Sequence, residues 1–407
     1  MEPMGEFEEI DFLADSGMSS AGSFREMIDA PVEDAQRERI ARMGLCAALD
    51  GGDPRMAALV REQGPVAVWE YLRNSGSTRA TAVRVRGVDV EAVQQATAAC
   101  GSTFLIPSDP QWPLGVADLA WSEPVNGLGG EPWGLWVSGE GDFARACSRS
   151  VAVVGARAST AYGEHVAAEL GAELAERGYT VISGGAYGID AAAHRGALSC
   201  GATVAVMAGG LAKLYPPGNA ALLTRIRDAG FVVSESPPDC VPSRARFLVR
   251  NRLIAALAQA TVIVEGAVRS GAQNTVSWAL SMSRPVLAVP GPVTSAMSVT
   301  PHRLIRNGEA TLATCVEEIV SVLEPLDPRR ETLPWAKSGA GGPLSDQERT
   351  LVDALPHGIG VSVDEVCARL GWNVVTVLGV LSRVEQAGWA QEYRPGVWRQ
   401  PRQPPSQ

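Results

Sequence analysis

Apolar and polar positions along the middle of the chain alternate between two periods. Val151 to Val154 is an unbroken apolar run, the pattern of a parallel strand covered on both faces. From Glu164 onward, Val166, Leu170 and Leu174 recur along one helical stripe, and Gly178 then supplies a left-handed stop. Thr180 to Ser183 is the next strand, and Asp190 puts an acid in the first turn of the helix that follows. The alternation continues with strands predicted at Thr203 to Met207, Phe231 to Ser234, Thr261 to Val264, Pro285 to Val289 and Ala310 to Thr314. Helical patterns separate them at Asn219 to Ala229, Phe247 to Gln259, Gln273 to Met282 and Val316 to Leu323. This order predicts an α/β fold with a doubly wound parallel sheet, whose strand-to-helix turns all fall at one edge.

The flanks read differently. Residues 1–34 mix Glu, Asp, Ser, Gly and Met without a period, which predicts a disordered acidic leader. Between 35 and 99, short apolar stripes are broken by Gly51-Gly52-Asp53-Pro54 and Gly64-Pro65, so several short helices are expected. Phe104-Leu105-Ile106-Pro107 and Trp133 to Val137 lead into the core, taken as 100–325, and their aromatics are read as core rather than as a stacking platform. A Pro, Gly and charge-rich stretch at 326–343 reads as a linker. Beyond it, helices at Ser345 to Leu355, Ser362 to Leu370 and Asn373 to Ala387, with a hairpin at Trp389 to Trp398, give 344–400 a winged-helix pattern. Its third helix offers only Asn373, Thr376 and Arg383 among apolar residues, which favours a protein-contact or auxiliary role over groove reading.

Composition narrows the class. At 407 residues the chain has room for two or three domains. No apolar run reaches the roughly eighteen residues of a spanning helix, and the acidic N-terminus is unlike a signal peptide, so no membrane association and a cytoplasmic location are expected. The seven cysteines are far apart with no C-x-x-C pair, so no metal site is expected, and they read as small buried hydrophobes. The net charge of -10 is unevenly spread: residues 1–40 hold eleven acids against Arg25, Arg37 and Arg39, whereas 241–310 holds eight arginines against Glu265 and Glu309. A local basic footprint survives an acidic total.

The turns carry the chemistry. A strand edge that presents bare amides and helix N-termini favours anions, phosphates above all. The first turn, Gly155-Ala156-Arg157, has arginine where a dinucleotide fold needs a second glycine, and the second strand ends in Ser183-Gly184-Gly185 without a ribose-binding acid. No nicotinamide cofactor is therefore expected. Arg157 suits a phosphate carried by something larger, its alternative being a salt bridge to a neighbouring acid. Ser183, Gly184, Gly185, Ala186 and Gly188 form a second anion nest or simply a tight turn.

G-A-R followed by S-G-G-A-Y-G-I-D-A-A-A-H resembles the core of the DNA-processing protein A family, also called DprA or Smf. Further matches follow in the family's order at Tyr215-Pro216, Ser234 to Pro238, Arg250 to Ala255, Val264-Glu265, Arg269-Ser270-Gly271, Val289-Pro290-Gly291 and Leu304-Ile305. The resemblance implies a Rossmann-like core behind a small helical domain. It implies a bacterial, non-catalytic protein of DNA processing and natural transformation that binds single-stranded DNA, hands it to the RecA recombinase, and works as a homodimer. It implies too that Arg269 stands where family members commonly carry a DNA-contacting lysine.

The expected DNA contacts are Gly155, Ala156, Arg157, Ser183, Gly184, Gly185, Ala186, Arg246, Arg250, Asn251, Arg252, Arg269, Ser270, Gly271 and Asn274, with no catalytic residue and no cofactor. Arg246 and Arg250 share a helical face by their i, i+4 spacing, Arg244 and Arg252 flank them, and a solvated basic face is the alternative. Asn274 could donate to phosphate or cap its helix, capping being favoured. Two competing functions stand beside this one: a nucleotide-processing enzyme using Glu265 as acid or base, and a sequence-specific regulator working through the C-terminal domain.

Overall fold

The computed structural model describes residues 31–268, 270–324, 344–356, 360–386, 388–394 and 396–400. The expected leader up to residue 30, the whole of the 326–343 linker and Arg269 lie outside the described residues. The chain divides into two compact units, Met1–Ala313 and Thr314–Gln407.

The first unit opens with five helices: α1 (Pro31–Ala48), α2 (Pro54–Gln63), α3 (Pro65–Asn74), α4 (Ala80–Arg86) and α5 (Val90–Ala99). The helix therefore begins inside the stretch read as leader, at a proline that suits the first helical position. Asp53 starts α2 by accepting from the amides of Arg55 and Met56, and Asp89 caps α5 at the amide of Ala92. Met43, Leu45, Met56, Val60, Val68 and Leu72 bury one face of this bundle.

Strands β1 (Thr103–Leu105) and β2 (Leu135–Gly139) follow, then α6 (Phe143–Ser148). The alternating run comes next: β3 (Ser150–Val154), α7 (Ala161–Glu176), β4 (Thr180–Ser183), α8 (Ile189–Cys200), β5 (Thr203–Met207), α9 (Ala220–Ala229) and β6 (Phe231–Ser234). It continues with α10 (Arg244–Leu257), β7 (Ala260–Ile263), α11 (Gly271–Ser281), β8 (Val286–Ala288), α12 (Val299–Arg306) and β9 (Thr311–Leu312). The sheet runs in the order β1-β2-β6-β5-β4-β3-β7-β8-β9. Every pairing from β6 to β9 is parallel, while β1 and β2 are added antiparallel at one side. The fold is thus mixed α/β with a mostly parallel sheet. Side chains alternate across it: Val204 and Val206 pack into one buried cluster with α10 and α11, and Ala205 and Met207 into another with α9 and the N-terminal helices. That two-sided burial is why these strands are apolar throughout.

The outer strand is blunted by an ion pair. Arg39 donates to the Phe104 carbonyl at 2.6 Å, Asp109 accepts from the Ile106 amide at 2.8 Å, and the two side chains meet at 2.7 Å. Together they take up backbone groups that a further strand would otherwise pair with.

The second unit contains α13 (Val316–Leu323), α14 (Asp346–Ala354), β10 (Val361–Ser362), α15 (Val363–Leu370), α16 (Val374–Gln386), β11 (Gln391–Arg394) and β12 (Val397–Arg399). Ser345 and Ser362 open α14 and α15 through full capping boxes with Glu348 and Glu365. The three strands form an antiparallel sheet in the order β10-β12-β11. Among the described residues no helix is long and apolar enough to cross a membrane. Burial holds for Cys46 and Cys147, whereas Cys200 is exposed and the remaining cysteines are half-buried.

Candidate nucleic-acid interface

The turns after β3 and β4 interlock. A β-carbon at Gly155 would lie 2.5 Å from Ile189, and one at Gly188, whose φ is +76°, would lie 2.3 Å from the Ala156 carbonyl oxygen. Bare glycines let the two loops touch, and the Ile189 amide closes the contact by donating to Ala156 at 3.2 Å. Both loops leave the carboxyl ends of neighbouring parallel strands, so their amides share one rim.

Arg157 stands exposed on that rim, its guanidinium carbon 4.7 Å from the centre of the Phe247 ring. The Tyr215 ring is 6.0 Å from Phe247, and Tyr187 sends its hydroxyl to within 3.3 Å of the Gly218 amide. Tyr187 and Tyr215 are 47% and 44% exposed, so rings and a cation face solvent together. The sequence reading did not single out these rings as contacts. They sit at well-separated positions in the chain, and only the strand order brings them to one place.

Arg250 lies beneath. It is buried, donates to the carbonyls of Gly184 (2.7 Å) and Val206, and forms no ion pair with a described carboxylate. Burial pulls its pKa down to about 10 against the opposing pull of the Asp190 charge, and Arg157 adds like-charge repulsion. At neutral pH it therefore remains a cation. Asp190, itself raised by burial, is opposed by the Arg250 charge and by the Ala186 amide, which reaches its Oδ2 at 3.4 Å. Gly184 leaves the room, because a β-carbon there would fall 2.4 Å from the Arg250 Nη1.

The two other described arginines of the expected set, Arg246 and Arg252, are spoken for. Arg252 is fully buried and forks onto Glu235 at 2.7 and 2.6 Å while donating to the Gly130 carbonyl at 3.0 Å, so it does not line the rim. Two residues along a helix are about 200° apart, so Arg250 and Arg252 cannot share a face. Arg246 gives both Nε and Nη2 to the Asp50 Oδ1, at 2.8 and 2.7 Å. Ser183 is buried and uses its hydroxyl on the Val153 carbonyl at 2.6 Å, tying β4 to β3 rather than meeting a ligand. Asn251 donates to the Asn274 Oδ1 at 3.2 Å and the Gly271 carbonyl at 3.4 Å, so it braces the start of α11, where the Asn274 Nδ2 and the Ser270 hydroxyl have no hydrogen-bond partner among the described residues.

Glu265 is buried between the strands at which the order of the sheet reverses, β3 and β7. Its two oxygens accept from the Thr160 amide at 2.9 Å and the Thr160 hydroxyl at 2.6 Å, and that hydroxyl in turn caps α7 at the Gly163 amide. In open α/β sheets this reversal is where ligands enter. Here the chain's own carboxylate fills it and holds the loop that carries Arg157. The acid is engaged in positioning that loop.

In the second unit, Asn373 accepts from the Thr376 amide and hydroxyl at 2.8 and 2.9 Å, and Arg383 reaches Glu348 at 3.0 Å. These three polar residues are thus paired within the unit, and among the described residues Val374 and Leu378 are the large exposed apolar side chains of α16.

Fold and rim together define an α/β protein whose candidate site is an edge of two glycine turns, an exposed arginine over an aromatic ring and a buried arginine below. Residues 103–324 match the family model for DNA recombination-mediator protein A. A DNA processing protein DprA of Mycobacterium tuberculosis is 43% identical over 358 residues, covering 85% of this chain and 90% of that one. Protein Smf of Escherichia coli is 38% identical over 264 residues, covering 63% of this chain and 69% of its own. The X-ray structure of DNA processing protein A from Streptococcus pneumoniae matches with a TM-score of 0.58 at 25% identity, over 70% of this chain and 97% of that one. The chain belongs to the DNA processing protein A (DprA/Smf) family.

Proposed function

We propose that this member of the family binds single-stranded DNA by its phosphates along the rim between β3, β4 and α10, catalyses no reaction on it, and passes it to the RecA recombinase in transformation and recombination. The observation that carries the reading is the exposed Arg157 guanidinium over Phe247, flanked by bare glycine-turn amides. Cation and amides suit phosphate, and the exposed rings of Tyr187 and Tyr215 suit unpaired bases, which stack without regard to sequence. Arg269, Ser270, Gly271 and Asn274 would extend the track beside α11. The engagement of both Glu265 oxygens by Thr160 speaks for binding over nucleotide chemistry.

The family's description as a recombination mediator supports the hand-over to RecA. We read the molecule as a cytoplasmic homodimer with a doubly wound, Rossmann-like core over 100–325, a helical domain before it and a winged-helix domain at 344–400. The internal pairing of Asn373, Thr376 and Arg383 favours a protein-contact role for that last domain. The test is fluorescence anisotropy on single- and double-stranded oligonucleotides of several sequences. Arg157→Ala should weaken single-strand binding about tenfold or more, the order of one lost charged hydrogen bond, uniformly across sequences. It should also flatten the slope of log K against log salt by about 0.7. Equal binding of duplex, or unchanged affinity at low salt, overturns the reading.

A further inference from the structure

We infer that Asp50 is a built-in competitor for DNA phosphate at Arg246, setting how tightly the rim holds a strand. The inference rests on the single-stranded DNA reading above. Asp50 sits in the turn between α1 and α2, and that turn is wedged against α10. A β-carbon at Gly51 would lie 2.4 Å from the Glu235 carboxyl, and one at Gly52, with φ +85°, would lie 2.9 Å from Val249. The Gly52 carbonyl is pinned by the Gly129 amide at 2.9 Å. Only a turn of bare glycines fits this closely, and the fit delivers the Asp50 carboxylate to one guanidinium.

That guanidinium is on the DNA side of the molecule. Arg246 adjoins Phe247, whose ring lies 4.7 Å from the Arg157 guanidinium carbon, and it precedes Arg250 by one helical turn. The pair is not a structural core contact. Two of the three Arg246 nitrogens, Nε and Nη2, bond the single oxygen Oδ1 while Nη1 donates to the Val241 carbonyl at 2.8 Å, and the side chains remain 29% and 52% exposed for Arg246 and Asp50. An ion pair at such exposure adds little to stability, yet it places a full negative charge where a phosphodiester would have to come. A strand occupying Arg246 must displace Asp50; a strand that does not must tolerate it. Either way the rim holds DNA less firmly than its arginines alone would, which suits a protein that has to give its strand away.

The experiment compares the full chain with Asp50→Asn, Arg246→Ala, the double variant and Arg157→Ala, using a labelled oligothymidylate across a salt series. Thermal unfolding serves as the fold control, and Asp50→Ser serves as a second removal of the charge. Asp50→Asn is expected to bind about two- to five-fold tighter at low salt, the equivalent of one exposed ion pair released. The slope of log K against log salt should steepen by about 0.7, one further phosphate contact, and the dissociation rate should fall. Arg246→Ala should erase the gain, leaving the double variant no tighter than wild type. If Asp50→Asn and Asp50→Ser bind like wild type or more weakly while Arg157→Ala loses binding, the competitor is refuted and the site stands. A gain that survives in the double variant refutes it as well, because the effect would then be general charge rather than Arg246. Should Arg157→Ala bind normally, the site itself falls and takes this inference with it.

Discussion

Acid should destabilise the first unit through His194, and the size of the effect can be worked from its surroundings. The ring is fully buried, with Nδ1 2.8 Å from the Thr203 hydroxyl oxygen, and that hydroxyl is already donated to the Val181 carbonyl at 2.6 Å. The oxygen must therefore accept, so the proton sits on Nδ1 and Nε2 is bare, with no hydrogen-bond partner among the described residues. A second proton would have to go on Nε2, in a dry site near Arg250 and Arg195. Burial first, then those two arginine charges, bring the His194 pKa down from 6.5 to about 3. Between those values the unfolded chain holds a proton that the folded one refuses, so stability falls as pH falls through the window and is unaffected above it. The slope is about 1.4 kcal/mol per unit, giving about 3 kcal/mol lost from this one ring between pH 7 and pH 4.5. Asp190, whose carboxyl burial raises, tilts the other way above the ordinary aspartate range, so the readout is a difference between variants. Urea unfolding followed by tryptophan fluorescence at several pH values should show a shallower acid loss in His194→Gln than in the wild type. Equal acid losses, or an imidazole resonance of the folded protein titrating near 6.5, would refute the reasoning.

Three further outcomes follow from the buried polar contacts and the glycine turns. Arg252→Ala leaves the Glu235 carboxylate buried and alone, and should cost about 3–5 kcal/mol in urea unfolding, whereas Arg252→Met with Glu235→Leu should recover most of the loss. Thr160→Val strands the Glu265 oxygen that its hydroxyl satisfies and should cost about 1–3 kcal/mol, with Thr160→Ser close to wild type; equal losses in the two would count against the hydroxyl. Gly188→Ala forces a side chain into positive φ and against backbone oxygen, and should cost about 1–3 kcal/mol while weakening single-strand binding through the displaced Arg157 loop.

Local chemistry was readable along the chain and long-range chemistry was not. The β3-α7-β4-α8 unit follows from runs that are apolar throughout and from glycines at the strand ends, because each of those signals acts within a few residues. The antiparallel pairing of β2 with β6 has no such signal, since a strand of the same composition fits either direction. The start of α1 was hidden because its first turns carry acids and arginines, with no apolar stripe before Ile40. The site shows the same division. Arg157 and the glycine turns could be picked out by position in a strand-turn-helix unit. The excess of arginine in 241–310 said that cations gather there but not which way each points, and the fold turns Arg252 inward to Glu235 and ties Arg246 to Asp50. Asp50 directly precedes the Gly51-Gly52 turn, and nothing within its neighbourhood in the sequence marks its partner, 196 positions away.

The fate of the individual arginines explains how a chain of net charge -10 can present a basic rim. Arg252 is cancelled within the fold by Glu235, and Arg246 is held by Asp50 at the surface, so neither sets the field at the glycine turns. At the glycine turns themselves stand Arg157 in solvent and Arg250 below it, a cation bonded to neutral carbonyls, whose Nε has no hydrogen-bond partner among the described residues. Burying a charge under such conditions is costly, and the Asp190 carboxyl, itself raised by burial, offsets only part of it. The fold carries that cost beneath the Gly184 turn, where a β-carbon would fall 2.4 Å from the guanidinium. Water screens an exposed arginine, but it screens a buried one far less, so the positive potential at the turn survives the acidic surroundings and salt that would dim a surface cluster. On the proposed reading, a phosphate arriving at the turn would meet Arg157 with Arg250 adding its charge from below, so that the affinity of the rim would depend on where these guanidiniums sit rather than on how many the sequence contains.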